Sequence, residues 1–113
     1  MKQLILMMFL LLSSLGANEA ILEEVRVEKK GDIYTFFVRI LHEDSGWEHY
    51  VNRYEVLNEK EEILATRVLV HPHEYEQPFT RSLRVKLPPL KTVYIRANDS
   101  VDGYSKQYEV PLP

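Results

Sequence analysis

The chain reads as an all-β protein, an immunoglobulin/fibronectin-III-like antiparallel β-sandwich of about seven strands. Three observations predict this. Beyond position 20, apolar and polar residues alternate with the period of two that a half-buried strand requires. Gly, Pro, Asn, Asp and Ser interrupt the alternation at intervals of roughly ten residues, the spacing of short strands joined by turns. No interval carries the 3.6-residue repeat of an amphipathic helix. A small closed β-barrel is the other architecture this pattern supports.

The elements follow in order. "ILEEVRVEKK" alternates Val25 and Val27 against Arg26 and Glu28. Gly31-Asp32 turns the chain into "IYTFFVRILHE", where Tyr34, Phe36, Val38 and Ile40 share one face. Asp44 to Gly46 break that run, and "YVNRYEVLN" follows with Tyr50, Tyr54 and Val56 on one side. "NEKEE" is a polar hairpin loop before "ILATRVLV". "TRSLRVKL" alternates Leu83, Val85 and Leu87 until Pro88-Pro89 stop it. "TVYIRAND" alternates Val93, Ile95 and Ala97, and Ser100 to Gly103 lead into the closing run "YSKQYEVPLP". Trp47, near the third strand, is expected to be the large aromatic of the core.

The first segment, "MKQLILMMFLLLSSLGA", stands apart from these strands. Lys2 precedes the apolar run Leu4 to Leu12, and small residues follow at Ser13, Ser14, Gly16 and Ala17. This is the pattern of a cleaved secretory signal peptide, with the cut after Gly16 or Ala17. The run is shorter than the roughly 20 apolar residues that span a bilayer. Residues 1–17 are thus expected to be the signal and 18–113 the β-sandwich domain, periplasmic or secreted.

Of the 113 residues none is cysteine, so the domain folds without disulfides, has no thiol nucleophile and lacks the cysteine of a lipoprotein anchor. The 14 basic and 17 acidic residues give a net charge of −3, and loss of Lys2 takes the remainder to −4. This balance argues against nucleic acid as a partner, and against a membrane once the signal is removed. Another periplasmic protein is the expected partner.

Strand parity carries the functional reading. If successive strands run antiparallel, the loops at 42–49, 71–79 and 99–103 share one end of the sandwich. That end holds all four histidines, His42, His49, His71 and His73, with Asp44, Glu74, Glu76, Asp99 and Asp102. Loops gathered at one pole are where a sandwich usually binds. The expected function is a non-catalytic exported binding or interaction module, with Trp47, Tyr75, Glu76, Phe79, Arg81 and Asp99 as its surface. No serine sits in a nucleophile elbow and no paired carboxylates line an evident pocket, so no enzyme and no cofactor are expected.

The alternative is a periplasmic zinc or copper site. Neutral imidazole binds either ion. In "HPH" an extended backbone sends His71 and His73 to the same side, and His49 or His42 completes the set across the pole. The metal ligands expected on this reading are His49, His71 and His73. The plainer reading of "VLVHPHEYEQPFTR" is loop packing: Gln77-Pro78 bend the chain, Phe79 plugs the core and Arg81 pairs with an acid.

The segments "GWEHYVNRYEVL", "RVLVHPHEYEQPFTRSL" and "VYIRANDSVDGY" resemble an uncharacterised family of small exported bacterial (proteobacterial) proteins carrying an HPH-x3-QPFTRS segment. The resemblance implies an exported bacterial protein and assigns no activity.

Overall fold

The computed structural model describes residues 19–113, and the expected signal peptide lies outside the described residues. Eight strands form two antiparallel sheets: β1 (Ile21–Lys30), β2 (Ile33–Leu41), β3 (Val51–Leu57), β4 (Ile63–Val68), β5 (Phe79–Lys86), β6 (Thr92–Asp99), β7 (Gly103–Tyr104) and β8 (Tyr108–Pro111). One sheet has the order β1-β2-β5, and the other β4-β3-β6-β7 with β8 also paired to β6. Among the described residues there is no helix, and the architecture is the expected sandwich.

The two central strands face each other across the core. On β2 the inward row is Tyr34, Phe36, Val38 and Ile40; on β6 it is Val93, Ile95 and Ala97, all buried. Tyr54 and Val56 of β3 and Phe79 of β5 complete the layer. Side chains at period two must all face one way, so these alternating sequences dictate which face is buried. Leaving a buried Phe such as Phe36 as Ala costs about 3–5 kcal/mol. The Tyr54 hydroxyl donates a hydrogen bond to the Arg81 carbonyl across the core at 2.9 Å, and burial pushes its phenol well above the ordinary value.

Two details depart from expectation, and a third adds a buried charge. Trp47 is 64% exposed and lies on the surface, edge-on to Tyr50 at 5.6 Å, because it sits in the loop before β3 and not in the strand. The closing run is two strands rather than one. Ser105 interrupts it: its N–H donates to the Ala97 carbonyl, and its Oγ accepts the Ala97 N–H. The side chain thus stands in for a backbone partner and lets the ladder on β6 resume at β8. Glu55 of β3 is buried on the outer face of its sheet, where Arg53 and Arg96 each approach it at 2.8 Å. Burial alone would raise its carboxyl, but the bonds from Arg53, Arg96 and Tyr104 outweigh that and lower it.

Candidate metal centre

The inward rows do not end at the last apolar residue. Two residues after Ile40, the row of β2 continues into His42; two residues after Ala97, the row of β6 continues into Asp99. Both side chains are buried, at 2% and 0% exposure. They come from opposite sheets, and the sandwich closes them to 2.7 Å, His42 Nε2 to Asp99 Oδ2.

The loop between β2 and β3 delivers the third group. Its backbone folds on itself, with the Ser45 N–H donating to the His49 carbonyl and the His49 N–H to that of Gly46. Gly46 adopts φ +110°, a conformation side chains resist, and a Cβ there would meet Glu48 Oε1 at 3.1 Å. The return brings His49 Nε2 to 2.9 Å from the same Asp99 Oδ2 and 3.3 Å from Asp102 Oδ2. His42 and His49 meet edge to face at 5.1 Å. The ligand atoms of His42, His49 and Asp99 all lie within 4.8 Å of one another.

Asp44 stands behind this group. Its fully buried carboxylate meets His42 Nδ1 at 2.6 Å and accepts the backbone N–H of His73 at 2.6 Å and of Val51 at 3.3 Å. Gln77 ties the third loop in: its Oε1 accepts the His42 N–H and its Nε2 donates to the His73 carbonyl. His42 is therefore held by its backbone and by Nδ1, with Nε2 aimed at the carboxylate of the other sheet.

The electrostatics match the geometry. The hydrogen bond to Asp99 raises the His49 imidazole above its ordinary value, against the opposing effect of burial. For Asp99, burial pushes upward, but the Val101 N–H and the bonds from His49 and His42 outweigh it and lower the carboxyl. A carboxylate oxygen only accepts, so a ring nitrogen facing one must present a proton or share a cation with it. Both nitrogens of His42 face carboxylates, and His49 Nε2 faces two. The spot between Nε2, Nε2 and Oδ2 is a place for positive charge. Two imidazoles and a carboxylate are a donor set that first-row metals accept, and a carboxylate on the far ring nitrogen is the usual support of a metal-binding histidine.

The other expected residues fall around this group. His49 belongs to it; His71 and His73 do not. His73 is buried and stacks on Phe79 with ring centres 4.0 Å apart, and neither ring nitrogen has a hydrogen-bond partner. Burial, then the charge of Arg81, lowers its imidazole. Its Nδ1 is 3.8 Å from Asp44 Oδ2, beyond hydrogen-bond range. His71 is exposed, and its Nδ1 lies 3.1 Å from the Pro72 carbonyl. Of the expected binding surface, Trp47 and Tyr75 are exposed and Glu76 pairs with Arg81 at 3.0 Å. Phe79 and Asp99 are 1% exposed, so neither belongs to a surface; each ends up inside because it lies on an inward strand row. The sequence makes His42 the alternative to His49 as third ligand, while Asp44, placed only at the same pole, and Gln77, read only as a bend, have no expected part in the site. The signal for His42 was present as the next period-two position after Ile40. Nothing local marks Asp44 or Gln77.

A cavity of about 400 Å³ opens beside the cluster, lined by His42 and His49 with Glu19, Ile21, Leu41 and Glu43 among its walls.

No protein-family model matches the chain. A protein of Halomicrobium mukohataei described as "Putative lipoprotein" is 32% identical over 97 residues, which cover 84% of this chain and 48% of that protein. The chain thus spans about half the length of the curated relative it matches. Among solved structures, superoxide reductase from Nanoarchaeum equitans superposes with a TM-score of 0.57 at 15% identity, over 84% of this chain and 92% of that one. The hypothetical protein PH1083 from Pyrococcus horikoshii OT3 gives 0.56 at 17% identity, over 84% and 90%. The expectations of a non-catalytic binding module and of no enzyme are corrected by this likeness. The scaffold is one on which a reductase is built in N. equitans, and the pole read as a docking surface has a buried His–Asp cluster at its centre.

Proposed function

We propose that the chain is a metal-dependent redox protein whose centre is His42, His49 and Asp99, with a first-row divalent ion of the non-haem iron kind as its cofactor. One observation carries this reading: two imidazole Nε2 atoms converge on a single buried carboxylate oxygen, at 2.7 and 2.9 Å. Two histidines and one carboxylate with positions left open are the donor set of non-haem Fe(II) centres. The fold shared with a superoxide reductase supports a redox role.

When bound, the ion supplies an exchangeable coordination position and one-electron chemistry. The chain's own part is to hold the donors. Asp44 keeps the Nδ1 of His42 occupied, which leaves Nε2 for the ion. Asp102, half exposed beside His49, is placed to add a second oxygen donor or to bond the ring. His73, stacked on Phe79, donates its backbone N–H to Asp44 and so helps to fix the carboxylate that holds His42.

Export is part of the same proposal. The apolar leader and the relative's description as a lipoprotein both support a protein acting in the periplasm or outside the cell.

Anaerobic titration of the purified protein with Fe(II), and in parallel with Zn(II) and Cu(II), tests the reading. One ion per chain and a raised melting temperature are expected, since a ligand that binds only the folded state stabilises it by RT ln(1 + [L]/Kd). Asp99→Asn should abolish the uptake and His71→Ala should leave it intact. No rise in melting temperature with any of the three ions defeats the proposal.

A further inference from the structure

The surroundings of the centre have a consequence for what reaches it. Asp99 and Asp44 are buried against the two imidazoles, and Asp102 stands 3.3 Å from His49 Nε2. The adjoining cavity adds Glu19 and Glu43 to its lining, and among the described residues no lysine or arginine lines it. A divalent ion cannot neutralise five carboxylates, so the loaded centre stays net negative. Ile21 and Leu41 supply apolar wall, and the space is of a size for small molecules.

We infer that the His42–His49–Asp99 centre takes an uncharged small molecule through the Glu19–Glu43 cavity, and that it discriminates against anions, superoxide included. The inference rests on the metal reading above. The physical cause is like-charge repulsion at short range. Each exposed carboxylate within about 7 Å of an incoming anion lowers its affinity roughly threefold in water, and less as salt screens it. The shared fold does not set this preference; the charges lining this chain's own cavity do.

The test uses the iron-loaded full-length protein after the metal titration has shown uptake, so that failure to load is seen separately and removes both readings. Nitric oxide is the uncharged probe on the ferrous form, followed by its electron paramagnetic resonance signal. Azide is the anionic probe on the ferric form, followed by its absorption band. Nitric oxide should bind with an affinity that changes less than twofold between low and high salt and in Glu43→Lys. Azide should bind weakly, and Glu43→Lys should tighten it by about tenfold at low salt, the effect of a two-charge change. High salt should erase that gain. Glu43 is exposed, so the variant should fold, and Glu43→Gln gives the intermediate case. Azide affinity that is high in the wild type and indifferent to salt and to Glu43→Lys overturns the inference. So does a ferrous protein that fails to bind nitric oxide.

Discussion

His42 Nε2 stands 2.7 Å from Asp99 Oδ2, and the two residues arrive from opposite sheets of the sandwich. Each is the next inward position after an apolar row, Ile40 on one strand and Ala97 on the other. The two sheets are therefore stitched together at one pole by a buried polar contact where apolar packing would otherwise continue.

Breaking that contact should be costly in the metal-free protein. His42→Ala leaves Asp44 and Asp99 buried without their main partner, and removal of one member of a buried pair typically costs about 3–5 kcal/mol. Urea unfolding of the apo protein should show a lowered midpoint with an unchanged slope. A loss below about 1 kcal/mol would mean that water replaces the imidazole freely.

Asp44 should govern metal affinity without being a ligand. Asp44→Asn keeps the volume but weakens the hold on His42 Nδ1, and loss of such a support usually lowers affinity about 10–100-fold. Competition against a chromophoric chelator measures it. An unchanged affinity would assign Asp44 a purely structural part.

His49 and His73 should make opposite contributions to stability against pH. The His49 imidazole is raised by its bond to Asp99, so its stabilisation is complete below its unfolded value of 6.5 and lost as pH rises through the higher folded value. The His73 imidazole is lowered by burial, so its cost is absent above 6.5 and grows as pH falls toward the folded value. His73→Phe should flatten the acid side of the melting profile of the metal-free protein. His49→Gln should flatten the alkaline side. Identical profiles for the wild type and both variants would remove this account.

Glu55 supplies a control away from the pole. Glu55→Ala leaves Arg53 and Arg96 without their shared carboxylate and should destabilise the fold by about 3 kcal/mol. Metal uptake should not change. A loss of uptake in that variant would show that the outer face of the sheet is coupled to the centre.

The period-two alternation was enough to read the sandwich, because a strand with one wet face must repeat at two. Chain reversal at each short link likewise assigned the loops to poles. Tyr34 to Ile40 and Val93 to Ala97 are buried as their spacing requires. Trp47 misled because aromatic character alone says nothing about whether a residue lies in a strand or in the loop before it.

By itself the sequence determined the strands, their inward rows and the gathering of the histidines at one end, since these follow from local periodicity and chain reversal. The tertiary structure decided which imidazoles meet. "HPH" does bring the rings of His71 and His73 to 4.8 Å, yet stacking on Phe79 and the Gln77 clamp hold His73 behind Asp44 and outside the centre, while the Gly46 turn swings His49 onto Asp99. Such convergence depends on how far apart two sheets stand and how a loop returns. No spacing along a single chain encodes that distance, because it is set by side chains packed from both sheets at once.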